Sequence, residues 1–267
     1  VFKDVHSGRH LDFAPSERYN LGIGVIFRGV TLGIGTGISF FKSNQVRLGE
    51  TKYTDIQLTH MPRRFANDLS YQKYHGFYVK NSRDFPDYQS STDYHLRPDI
   101  TATLIVLNSN YIFNYRKFSF RNSFDFNETQ LKSSGSLMTG AYYSRFNAHG
   151  DSAVVTVPFT SSFSVDGTIK TNTEQTLGIN FGYVYPRVVF EKFHATLMLL
   201  VGVGLHKIRY QLTNGTDYSG KINVSGKTNV RVSFGYDAGI LLFGVIVFYD
   251  NYFLLSNTIS VFTSINV

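Results

Sequence analysis

Two runs of alternating residues open the chain. Tyr19, Leu21, Ile23, Val25 and Phe27 are followed, past Arg28-Gly29, by Val30, Leu32, Ile34, Ile38 and Phe40. A period of two puts these apolar side chains on one face of a β-strand. The opposite face carries Asn20, Gly22 and Gly24 in the first run and Thr31, Gly33, Gly35, Gly37 and Ser39 in the second. Arg28-Gly29 between them reads as a tight turn.

The alternation recurs to the end of the chain. Phe118, Phe120, Phe124 and Phe126 alternate with Ser119, Arg121, Ser123 and Asp125, and Leu177, Ile179, Phe181 and Tyr183 with Gly178, Asn180 and Gly182. Leu197, Leu199, Val201, Val203 and Leu205 oppose Thr196, Gly202, Gly204 and His206, with Met198 and Leu200 interrupting the polar side. Val230, Val232, Phe234 and Tyr236 oppose Asn229, Arg231, Ser233 and Gly235, and a last run covers Ile259 to Val267. Less regular strands are expected over 51–61, 65–79, 98–113, 135–145 and 241–253. No segment shows a helical period.

Short turns fall near 28–29, 61–64, 114–117, 190–193 and 237–240, and long polar connections near 42–50, 80–97, 146–173 and 213–226. Short turns on one rim and long loops on the other is the asymmetry of an outer-membrane barrel. Twelve strands are visible, but short and long connections fall out of step between 145 and 174. A further strand near Ala153–Phe159 restores the order, and one more ahead of Val1 gives fourteen. The expectation is all-β: one domain over 1–267, a single antiparallel transmembrane β-barrel of twelve to fourteen strands.

Periodicity alone does not say which face meets water. Composition does: charged residues are only 17% of the chain and aromatics 16%, the latter 24 Phe and 18 Tyr with no Trp. A soluble barrel places Lys, Glu and Asp on its polar face. Here that face is Gly, Ser, Thr and Asn, which suits an enclosed interior, while the Leu, Ile, Val and Phe face suits hydrocarbon. No apolar helix approaches the ~20 residues a membrane crossing needs. The start at Val1, without a charged-then-apolar leader, suggests a processed or trimmed chain.

The net charge is +7, several of the basic residues fall in short turns (Arg28, Arg63-Arg64, Arg116-Lys117, Arg187 and Lys192), and they form no basic stripe with interleaved aromatics, so no nucleic-acid partner is expected. With no cysteine there is no disulfide, thiolate metal site or cysteine nucleophile.

The segments LDFAPSERYNLGIGVIFRGVTLGIGTGISF, GETKYTDIQL and RPDITATLIVLNSNYIFNYRKFSFRNSFDFNETQLKSSGSLMTGAYYSRF resemble an uncharacterised Bacteroidetes outer-membrane β-barrel family known as a domain of unknown function. The likeness continues through GINFGYVYPRVVFEKFHATLMLLVGVG and VRVSFGYDAGILLFGVIVFYDNY. It implies a signal peptide, an outer-membrane location, a barrel with a strand ahead of Val1, and no known catalytic residues.

Candidate chemistry is sparse. Catalysis by a His needs a nucleophile within hydrogen-bond reach and a group to orient the ring. His206 is the most strand-embedded candidate, with Ser233 or Ser260 as neighbours only if strands align. His60, His75, His95, His149 and His194 lie at no metal-ligand spacing. Asp84, Asp87, Asp93 and Asp99 lack the order of a dedicated calcium loop. No catalytic, metal or cofactor site is expected, and no enzyme. The lumen-facing polar candidates are Arg121, Asp125, Asn180, His206 and Arg231, with Arg121 and Asp125 on one strand as an ion pair or a charged constriction. Met198, Leu200, Ile246 and Phe248 point to a partly filled interior. The expected function is a structural or accessory subunit of an outer-membrane assembly. A passive channel for small polar solutes is the alternative, and a barrel hydrolase a third reading. Expected partners are outer-membrane lipids, lipopolysaccharide, and other outer-membrane proteins or lipoproteins.

Overall fold

The computed structural model describes residues 2–3, 8–16, 19–38, 47–89, 93–124, 133–163, 168–189, 192–237 and 242–254. Its strands are β1 (Phe2–Lys3), β2 (His10–Leu11), β3 (Phe13–Ala14), β4 (Tyr19–Phe27), β5 (Val30–Ile38), β6 (Lys52–His60), β7 (Phe65–Val79) and β8 (His95–Ile112). After the helix α1 (Phe120–Phe124) come β9 (Ser136–His149), β10 (Ile169–Val189), β11 (Phe193–Leu212), β12 (Asp217–Ser219), β13 (Asn223–Asp237) and β14 (Leu242–Leu254). The spatial order β14-β13-β11-β10-β9-β8-β7-β6-β5-β4 follows the sequence, β12 adds to β11, β3 adds to β7, and β1 pairs with β2 apart from the main sheet. Every pairing is antiparallel.

The turn between β4 and β5 explains its own sequence. Arg28 and Gly29 both have positive φ, 48° and 80°, which is what a two-residue hairpin matched to the strand twist requires.

The sheet is strongly curled into a half-barrel with almost no helix among the described residues. Asp68 on β7 and Arg231 on β13 have four strands between them, which in a flat sheet would hold them roughly 24 Å apart. Their side chains meet at 3.0 Å. The convex face is apolar and exposed: Ile23 is 78% exposed, Leu177 63% and Leu205 59%. The concave neighbours of the last two, Gly178, Asn180, Gly204 and His206, are buried. On the concave face of β5, Gly33 and Gly35 stand in register with Gln57 and Asp55 of β6.

Two expected strands do not form. In the expected strand at 118–126 the described residues, 118–124, do not continue the sheet: Phe120–Phe124 is a helix. Phe120 and Phe124 are one helical turn apart as well as in phase for a strand, and the Ser119 hydroxyl accepts the Asn122 N–H at 3.1 Å as an N-cap. Ala153–Phe159 is turn and loop, leading to a 3-10 turn at Thr160–Ser162. The two corrections are linked. Once the expected strand at 118–126 is removed from the strand count, successive connections fall at alternate rims without a strand at 153–159, and the connection from β8 to β9 is the one that carries α1. The expected last strand at 259–267 lies outside the described residues.

Candidate functional site

The concave face has three storeys. At the short-turn rim α1 packs into it, burying Phe118, Phe120 and Phe124 against Met61, Ile112, Met138, Val184, Met198 and Leu200, with Ile246 partly buried beside them. Polar ties pin the helix at both sides. The Ser233 hydroxyl donates to the Ser123 carbonyl at 2.6 Å. Arg121 Nε donates to the Met61 carbonyl at 2.7 Å and its Nη2 reaches the Arg28 carbonyl at 3.4 Å. Arg121 is therefore a staple between α1 and two rim turns, and shares no strand with Asp125, which lies outside the described residues, as does the Phe248 side chain.

The middle storey is polar, with Asn180 and Arg231 pointing into it. Beside the Arg231–Asp68 pair, Lys227 Nζ donates to Asn108 Oδ1 and lies 4.8 Å from the Tyr142 ring centre. Asn180 donates to Asn110 Oδ1 at 3.2 Å, and Asn229 to Asp250. The glycines opposite Tyr142 now have a reason. A methyl group on Gly178 would strike the Tyr142 ring, and one on Gly204 would meet its hydroxyl at 2.7 Å. Small residues on β10 and β11 leave room for one aromatic side chain to lie across them.

Toward the long-loop rim His206 joins Thr176 and Glu174. Thr176 Oγ1 is 2.8 Å from His206 Nδ1, His206 Nε2 is 3.7 Å from Glu174 Oε2, and Asn172 donates to Glu174 at 2.7 Å. These two neighbours were not foreseen, whereas Ser233 is instead bound to α1 and Ser260 lies outside the described residues. The missing signal was register, because Thr176 faces His206 directly across β10 and β11.

The third storey is the cap at that rim. Phe2, Leu11, Val79, Phe85, Val155, Phe159 and Ile169 are buried together. Arg97, 3% exposed, grips Asp99 with two hydrogen bonds at 2.8 and 2.9 Å and the Val154 carbonyl at 2.6 Å. Burial pushes the Asp99 carboxyl up, but the Arg97 hydrogen bonds and charge with the Ser152 N–H outweigh it and hold the pKa at about 2. Of the loop carboxylates, Asp99 thus serves a loop clamp and Asp87 accepts the Ser161 hydroxyl. 

A family model described as a domain of unknown function, DUF4421, matches residues 1–267. No curated protein matches the chain.

Proposed function

The chain belongs to the DUF4421 family, and we propose that it closes into a β-barrel in the bacterial outer membrane. It serves there as an occluded structural or accessory subunit of an outer-membrane assembly, without catalysis. The observation that carries this reading is the pairing of an apolar convex face with a polar, filled concave one. The exposed band runs from Leu177 to Tyr185 on β10 and from Leu197 to Leu205 on β11, close to the roughly 9–11 residues a tilted strand uses to cross hydrocarbon. Among the described residues β4 and β14 are each paired on one side only. A bilayer demands that such edges be satisfied, which closure accomplishes.

Occlusion favours the accessory role over a channel. A passive path for small polar solutes would have to pass α1 and the Lys227, Arg231 and Asp68 bridges. The hydrolase reading would use Thr176, His206 and Glu174, but these buried groups already serve one another across the interior. In planar bilayers the purified protein is expected to carry no steady current, and affinity purification from native membranes to yield a stoichiometric complex. Large, long-lived openings from isolated protein would replace this reading with the channel.

A further inference from the structure

We propose that the outer wall of β7–β11 holds an anionic lipid with a terminal phosphate, with the phosphate among Arg145, Lys207 and Arg209 and an acyl chain in the groove beside Ala141. The proposal rests on the membrane reading above and names a partner for that wall.

The convex positions of β6 from Lys52, β7 to His75, β8 from Thr101, β9, β10 from Thr171 and β11 to Gln211 carry no carboxylate. On β9 and β11 the outward sequence changes from apolar to cationic at the same register row, and on β7 one row further toward the long-loop rim. Tyr71 gives way to Lys73 on β7, Tyr143 to Arg145 on β9, and Leu205 to Lys207 and Arg209 on β11. Among the described residues none of these four cations meets a carboxylate. Exposed Lys and Arg on a folded surface are ordinarily interspersed with acids; here Arg145 and Lys207 border an apolar wall without one, and Asp217 of β12, opposite Gln211, is the acid that shares the face of Arg209.

Register makes the patch local. Arg145 stands across Gln175 from Lys207, and Asn147 across Thr173 from Arg209. Arg145 and Lys207 are therefore two strand spacings apart, roughly 10 Å, and Lys207 and Arg209 about 7 Å apart along β11. Side chains as long as Arg and Lys at those positions can reach a common group of phosphate size. Arg supplies paired N–H donors that match phosphate oxygens.

Immediately below lies a groove of ≈ 360 Å³ lined by Leu58, Leu69, Leu107, Ala141, Tyr143 and Leu177. Ala141 opens it, since its small side chain lies between Ser109 and Ile179 in register and beside Tyr143 on its own strand. A channel of hydrocarbon leading up to unpaired cations complements a molecule that is apolar along its length and anionic at one end. A protein partner with an acidic rim would match the cations but not the groove.

Native mass spectrometry of the purified barrel in neutral detergent tests this. The probe is lysophosphatidic acid, compared with zwitterionic lysophosphatidylcholine and with inorganic phosphate. The phosphate lipid should be retained about tenfold more strongly than the choline lipid, and R145Q/K207Q/R209Q should remove that preference. Ala141→Leu should weaken retention of the lipid, while Arg187→Gln, on the same wall at the opposite rim, should leave it unchanged. Equal retention of both lipids, an unaffected triple variant, an unaffected Ala141→Leu, or retention of free phosphate as strong as that of the lipid would each overturn the proposal. A fluorophore at Leu199 in vesicles separates the two levels. If a lipid-soluble quencher reaches it while no lipid preference is found, this inference fails alone; if the quencher does not reach it, the membrane reading has failed first.

Discussion

Tyr142 organises the concave face, and its surroundings show how much single residues decide. Gly178→Val places branched carbon where the ring lies, and overpacking of this kind costs typically 1–3 kcal/mol. Denaturant unfolding of the detergent-solubilised protein should show that loss. Asp68→Ala leaves the mostly buried Arg231 guanidinium without its carboxylate, so it should destabilise by up to about 3–5 kcal/mol. The double variant Asp68→Ala/Arg231→Met should recover much of that loss; a double variant as weak as the single one would show that the pair is not what matters. Asp99 adds a pH dependence. Its carboxyl is held at about 2 when folded, below the ordinary carboxylate value, so its contribution is present above about pH 4 and fades as pH falls toward 2. Amide exchange at Asp151 and Ser152, whose N–H groups bind Asp99, should accelerate across that window, and Asp99→Asn should flatten the response. In the sequence, strand parity was enough to place Asn180, His206 and Arg231 on the polar face. Their partners were not legible, because Asp68 is brought to Arg231 only by the curl of the sheet. Thr176 reaches His206 only through the register of two long strands.

At the scale of elements, α1 decides whether the interior is filled. Its five residues cannot hold a helix alone, so its conformation depends on the cap at Ser119 and on burial of Phe120 and Phe124. Ser119→Ala should cost about 1 kcal/mol. Phe124→Ala, which empties part of a buried cluster, should cost about 3–5 kcal/mol and bring intermittent current to an otherwise silent barrel in planar bilayers. Silence in both the wild type and Phe124→Ala would move the occlusion from α1 to the polar bridges. The strands themselves were largely readable from alternation, including the hairpin at Arg28-Gly29. The helix was not, because Phe120 and Phe124, four residues apart, satisfy both periods. The burial that chooses between them comes from Met61 in a rim turn and from Met138 and Met198 on β9 and β11. Counting Phe118–Phe126 as a strand then forced a second, nonexistent strand at Ala153–Phe159.

For the whole molecule, the account rests on an inversion of the usual globular arrangement, with apolar side chains outside and polar ones inside. Val201, half exposed on the convex face, lies midway along the apolar part of β11. In a bilayer, Val201→Arg should cost roughly 2–4 kcal/mol, whereas on a solvated surface it would cost almost nothing. The most direct measurement attaches a spin label at Val201 and compares relaxation by dissolved oxygen with relaxation by a water-soluble metal complex in reconstituted vesicles. The account predicts strong oxygen access and little access by the water-soluble agent. A label relaxed mainly by the water-soluble agent would contradict it.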